Sequence, residues 1–246
     1  MSVSDVDRSR AFYESVLGWR FADPAPEDGG YAIAYVGERA VAALGPKQSP
    51  DQPDAWLLYL ATDDVDATAT AITDNGGTIL LAPGDVGGYG RMLVATDPTG
   101  ASFAAWQAGQ HIGAELVNEP GGLTWEDLRS TDPAKAQDFY CTVFGLHTSP
   151  VEMAPADYRL LHRDGAEAPV GGVGGFMGPP AQSHWAVYFG VANTDAAVTA
   201  VENGGGSVVL PASDSPFGRL AGLTDPDGAS FMVIETTGSA EPDGER

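Results

Sequence analysis

The sequence predicts an α+β protein built from tandem duplicated βαβββ modules, each a strand, a helix and three further strands. Two observations predict it. The stretch Leu123 to Gly145, LTWEDLRSTDPAKAQDFYCTVFG, reads as strand, capped helix and stop. The chain then matches itself at a spacing of about 128 residues. Phe12-Tyr13 answers Phe139-Tyr140, Tyr31 answers Tyr158, and Trp56 answers Trp185. Gly90-Arg91 answers Gly218-Arg219. Asp97-Pro98-Thr99-Gly100-Ala101-Ser102-Phe103 nearly repeats as Asp225-Pro226-Asp227-Gly228-Ala229-Ser230-Phe231.

Each element has a local reason. Asp132 suits a helix N-cap because its carboxylate accepts from the free N–H groups of the first turn. Pro133 fits the first helical position, where a missing N–H costs nothing. Ala136, Phe139, Tyr140 and Val143 follow at helical spacing, and Gly145 stops the helix. In the first half, residues 11–50 read as helix then strands, 56–61 as a strand and 64–75 as a helix. Strands at 78–82, 91–96 and 101–107 follow, joined by turns at Pro83-Gly84 and Asp97-Pro98-Thr99-Gly100. The second half repeats this with strands at 123–129, 157–163, 169–177, 184–191, 207–210, 219–224 and 229–236. Its helices are expected at 133–145 and 194–203.

The expected organisation is a first domain at 1–109, a linker at 110–121 and a second domain at 122–237. Residues 238–246 form a polar tail expected to be disordered. A short strand is expected at 112–117. The first helix begins almost at Met1, so the strand corresponding to Leu123–Arg129 has no upstream counterpart. It lies further upstream, is dispensed with, or is replaced by another segment.

Composition excludes several functions. The 246 residues are 43% hydrophobic, ordinary for a folded protein. No apolar run is long enough to span a membrane, and MSVSDVDRSR is too polar for a signal peptide. Net charge is −22, from 12 basic and 34 acidic residues. Such a surface repels phosphate backbones and anionic lipid, so nucleic acid and membranes are not expected partners. Cys141 is the one cysteine, read as a packing side chain. The expected location is cytoplasmic.

The helix ends FYESVLGW and FYCTVFGL, followed by TDPTGASFAAW and TDPDGASFMVIE, resemble the glyoxalase / bleomycin-resistance / extradiol dioxygenase superfamily, also called vicinal oxygen chelate. The linker WQAGQHIGAELVNEPGGLTWEDL is similar to that of tandem-domain actinobacterial members. These include a mycobacterial culture-filtrate antigen and anthracycline-cluster proteins labelled hydroxylases. The resemblance covers residues 7–236 and implies two cupped mixed sheets, each enclosing a cavity. It implies fold more firmly than function, because the superfamily includes isomerases, dioxygenases, epimerases, thiol transferases and binding proteins. It also implies a monomer, two domains in one chain completing the cups internally, with a homodimer as the alternative.

In catalytic members of the family a divalent metal sits in the cup, held by His, Gln or Glu. The resemblance places those ligands at Trp125 on the strand before the third helix. On the strands before the second and fourth helices it places them near Leu57 and Ala186. On the closing strands the positions are Ala104 and Met232. None of these is a donor, whereas a divalent ion needs several N or O donors converging on one point. No metal or other cofactor is expected.

Alternation along strands predicts what lines the cups instead, since side chains two apart share a face. Trp125, Asp127 and Arg129 go together, as do His184, Ala186 and Tyr188. The first-half set is Ala55, Leu57 and Tyr59. The closing strands add Ser102, Ala104 and Trp106, then Ser230, Met232 and Ile234. Trp125, Tyr59, Trp106, Tyr188 and Met232 are the candidate ligand contacts, an apolar and aromatic lining suited to a flat organic molecule. Asp127 and His184 are the candidate acid–base residues. Against these, Trp125 reads equally as core, Asp127 as the partner of an ion pair with Arg129, and His184 as a surface or capping group. His111, His147 and His162 read as surface residues, and glycines 171–175 as close packing of strands. The leading expectation is a metal-free protein that binds an aromatic or polyketide-like metabolite. The rival is an enzyme on the same scaffold, a hydroxylase, oxygenase, lyase or isomerase using Asp127 or His184. A protein-interaction module is the weaker third.

Overall fold

The computed structural model describes residues 1–22, 30–152, 157–166, 168–176 and 182–236. The tail expected to be disordered lies outside the described residues. Four modules follow one another. The first holds β1 (Ser2–Val3), α1 (Val6–Leu17), β2 (Arg20–Phe21), β3 (Ala32–Val36) and β4 (Arg39–Pro46). The second holds β5 (Tyr59–Ala61), α2 (Val65–Asp74), β6 (Thr78–Val86), β7 (Gly90–Thr96) and β8 (Ser102–Ala108). The third holds β9 (Leu123–Arg129), α3 (Pro133–Phe144), β10 (Leu146–Pro150), β11 (Arg159–Arg163) and β12 (Gly171–Gly174). The fourth holds β13 (His184–Val191), α4 (Thr194–Asn203), β14 (Ser207–Ser215), β15 (Gly218–Thr224) and β16 (Ser230–Glu235).

Every module has the same strand order: first, fourth, third, second. The first strand pairs parallel with the fourth, and the remaining pairs are antiparallel. A parallel pair cannot be joined by a tight turn, so each module needs its helix as a crossover. Asp5, Asp64, Asp132 and Asn193 cap these helices by accepting from first-turn N–H groups. α1 and α3 end at Gly18 and Gly145, with φ of 69° and 62°, where a side chain would be strained. Among the described residues no helix is long and apolar enough to cross a membrane.

Two local expectations need correction. Pro83-Gly84 is no turn: β6 runs through it to Val86, and the hairpin turns at Gly87, φ 53°. The proline is absorbed by register shifts between Ile79 and Leu81 and between Leu81 and Gly84, as bulges on edge strands allow. Residues 112–117 form no regular strand; Val117 makes only a single bridge to Leu123.

The first strand of the first module is a two-residue strand. Gly45 donates to the Met1 carbonyl at 3.0 Å, and Lys47 to that of Val3 at 3.1 Å. A second segment takes up the other end of β4. Glu115 donates to the Ala40 carbonyl at 2.7 Å and accepts from the Ala40 N–H through its carboxylate at 2.8 Å. Leu116 is buried there, and Arg39 grips Glu119 through both guanidinium nitrogens. The gap is therefore filled in part by the residues expected to be a linker.

The chain forms two compact units. The first comprises Met1–Trp56, Gly113–Trp125 and the chain from Val187. The second comprises Leu57–Ile112 and Glu126–Ala186. Module one therefore shares a core with module four, and module two with module three. The first core gathers Phe12, Tyr13, Trp19, Phe189 and Phe231, with Trp56 at its side. The second gathers Phe103, Phe139, Tyr140 and Trp185.

The repeated motifs brace these cores. In the first unit the Trp56 indole donates to the Tyr13 hydroxyl (3.1 Å), which donates to Asp225 (3.2 Å). The other oxygen of Asp225 accepts from the backbone N–H of Asp227 and Ala229, holding its turn. In the second unit Trp185 donates to Tyr140 at 2.9 Å, and Asp97 accepts from the N–H of Thr99 and Ala101. Burial pushes both tyrosines well above the usual phenol range, and the charge of Asp225 or Asp97 pushes them further.

Candidate functional site

Alternation sorts each strand into a face packed under the helices and a face free of them. On β8, Phe103 and Ala105 join the core cluster under the helices; Ala104, though fully buried, and half-buried Trp106 do not. On β9, Leu128 enters the core, with Asp127 and Arg129 opposite. On β16, Phe231 and Val233 enter the core, with Met232 opposite. Trp106, Asp127 and Met232 thus lie on the faces opposite the core clusters.

In the first unit, β-sheet register sets up a row across four strands. Tyr188 pairs with Met232, Met232 with Gly222, and Gly222 with Leu210. A Cβ on Gly222 would come within 3.1 Å of the Met232 sulfur and 2.9 Å of the Leu210 Cβ, so both side chains close over the glycine. Leu210 is 43% exposed. Trp125 belongs to the same unit and is half-buried.

The second unit holds Tyr59, Trp106, Asp127 and His184. Tyr59, Ala104, Val94 and Leu81 form one row, and Ala61, Trp106, Met92 and Gly84 the next. Tyr59 is 41% exposed, and its ring centroid lies 6.4 Å from that of Trp106. His184 stands exposed at the start of β13, its Nδ1 2.9 Å from the Gln182 carbonyl and its ring 6.1 Å from Phe176.

Asp127 is buried, 3% exposed. One oxygen takes the Tyr158 hydroxyl at 2.7 Å; the other takes the Arg129 guanidinium at 2.5 Å. Arg129 also lies over the Tyr158 ring, 5.3 Å from its centroid. A Cβ on Gly172 would collide with both the Tyr158 hydroxyl and the Asp127 carboxylate, and one on Gly174 with the Tyr158 ring. The glycines of β12 therefore serve as a bed for Tyr158, beyond simple strand packing. On β9, beside Asp127, burial aided by the Asp127 charge raises Glu126 to about 7.

Tyr158, Gly172, Gly222 and Leu210 were not singled out by sequence reasoning as part of a site. One signal was available: Tyr158 repeats Tyr31, and Tyr31 likewise lies over a glycine, Gly45. Leu210 was hidden because its strand continues past the expected end at residue 210.

The residues do not fit a divalent ion at the positions the fold assigns it. Those positions carry indole, thioether and alkyl groups. Among the described residues no group of three or more His, Cys, Asp or Glu side chains is placed to hold a metal.

The repeated βαβββ modules define the class of folds built from paired modules of this kind. The chain belongs to the Glyoxalase/Bleomycin resistance protein/Dioxygenase superfamily, whose profile matches residues 1–105 and 110–233. It is 41% identical to CFP32 of Mycobacterium bovis, a protein provisionally named a glyoxylase, over 96% of this chain and 92% of that one. It is 37% identical to the anthracycline biosynthesis protein DnrV of Streptomyces peucetius, over 94% and 89%. Among solved structures, the Mn(II)-bound glyoxalase of Novosphingobium aromaticivorans superimposes with a TM-score of 0.64 at 16% identity, covering 100% of this chain and 83% of that one. The dioxygenase LapB of Pseudomonas sp. KL28 gives 0.63 at 13%, covering 99% and 92%. At such identities these two report the fold alone.

Proposed function

We propose that the protein binds a planar organic metabolite, without a metal ion, on the helix-free faces of its sheets. One observation carries the reading. Where the family would collect metal donors, this chain carries Trp125, Met232 and Ala104; Met232 pairs with Tyr188 in one unit, and Ala104 pairs with Tyr59, next to Trp106, in the other. Rings and a thioether grip flat apolar molecules by burial and stacking, each aromatic pair adding on the order of 1 kcal/mol beyond area. A relative named for anthracycline biosynthesis agrees with an aromatic polyketide as the ligand class. The protein acts as a monomer in this reading.

The test is metal analysis of the purified chain together with titration by aromatic metabolites. The reading expects no stoichiometric divalent ion and saturable quenching of tryptophan fluorescence. A full equivalent of bound metal that resists dialysis would refute it.

A second reading is an enzyme on the same scaffold, favoured by the organisation around Asp127. A buried carboxylate held by a phenol and a guanidinium over a glycine bed is a plausible acid–base centre. Asp127→Asn would then abolish turnover of a bound metabolite while leaving its affinity within a few-fold. His184, exposed and partnered by a backbone carbonyl, supports this reading less.

A further inference from the structure

Trp106 is held on two sides by backbone. A Cβ on Gly90 would lie 2.6 Å from its Cζ2 and 3.0 Å from its Cε2, so the six-membered edge of the indole rests against the glycine backbone. Its Nε1–H is already spent on the His111 carbonyl, at 2.9 Å. That carbonyl is itself anchored, because the His111 and Gly109 N–H groups both donate to the carbonyl of Tyr89, next to Gly90. Tyr59 stands at 75° to the indole plane. The His111 ring stands at 70° to it, centroids 6.1 Å apart, so the half-buried indole is a fixed plate flanked by two steeply angled rings, with its N–H unavailable to a ligand.

The repeat lacks this device. Trp106 corresponds to Ile234, and Gly90 to Gly218, where a Cβ would meet Ile234 Cγ1 at an ordinary 3.4 Å. An aliphatic side chain offers no plate. At this repeated pair of positions the second module carries an indole and the fourth an aliphatic side chain.

Resting on the binding reading above, we infer that Trp106 stacks one planar, electron-poor polycycle per chain, the quinone class being the fit. Indole is an electron-rich ring, so an electron-deficient partner gains most from face-to-face contact. With its N–H satisfied, the indole discriminates by ring electronics and shape, and a ligand's hydrogen-bonding groups must be met elsewhere.

The experiment titrates the intact chain with a neutral dihydroxyanthraquinone, following tryptophan quenching and long-wavelength absorption, with stoichiometry from calorimetry. The expected result is one equivalent bound, with a new charge-transfer band. Trp106→Leu should weaken binding about tenfold or more, the scale of one lost stacking contact, and abolish the band. Trp106→Phe should bind with intermediate affinity, and it tests the claim even if the leucine variant misfolds. Phe217→Ala, on the exposed hairpin tip of the fourth module, should leave affinity within about twofold. Saturable binding that survives Trp106→Leu and Trp106→Phe unchanged, or two equivalents per chain, overturns this inference and leaves the binding reading standing. No binding by the unaltered chain overturns both.

Discussion

Glycine 172 is the residue on which the polar cluster depends. With no Cβ it lets the Tyr158 hydroxyl reach Asp127 across the strand. Tyr158→Phe should therefore destabilise the protein by about 1–3 kcal/mol, because a buried carboxylate loses a donor. Gly172→Ala should cost at least as much, since it displaces the ring as well. Denaturant midpoints at pH 7 measure both, and equality with the unaltered protein would show the bond to be idle. Glu126 makes a pH prediction. Its folded pKa, about 7, lies above the reference of 4.5, so the folded state holds the proton more tightly than the unfolded chain. Stability from this group is complete below about 4.5 and is lost as pH rises through 7. The loss amounts to up to roughly 3 kcal/mol. Glu126→Gln should remove that fall, raising the melting temperature at pH 8 but not at pH 4.5. A melting temperature at pH 8 no higher than that of the unaltered protein would contradict it.

At the scale of elements, the motifs that betrayed the duplication turn out to be braces. Tyr13 and Tyr140 each link a helix to the D-P-x-G turn of the other half. Tyr13→Phe and Tyr140→Phe should each cost about 1–3 kcal/mol, because an indole N–H and a carboxylate are left short of a partner. The double variant should be close to additive, as the two sites belong to separate cores. Thermal melts of the three proteins decide it. Helices and caps were legible in sequence because Asp132, Pro133 and Gly145 act on their immediate neighbours. β10, a short and mostly polar edge strand, was not, and neither was the extension of β6 through Pro83, where bulges break the alternation that marks a strand. For the candidate site, alternation separates Asp127, Trp106 and Met232 from the core-cluster residues of their strands. Register across strands, which brings Leu210 and Gly222 to Met232, is a long-range property that no local pattern records.

At the scale of the molecule, the two sequence repeats and the two compact units are different partitions. Each unit takes one module from each repeat. Residues 1–109 and residues 122–236 each hold only part of either core. Expressed separately, each half should lack a cooperative melting transition, and mixing them should restore one. A half that melts cooperatively by itself as a monomer would contradict this. The expected boundary at 110–121 is also more than a tether, given that Leu116 is buried and Glu115 pairs with β4.

Leu116 and its neighbours carry one more consequence. Because both cores are stitched from distant stretches of one polypeptide, folding here replaces an encounter between two molecules. The joining segment sets an effective concentration in place of the bulk one, so dilution cannot pull the partners apart. Two separate single-repeat chains would lack that protection against dilution.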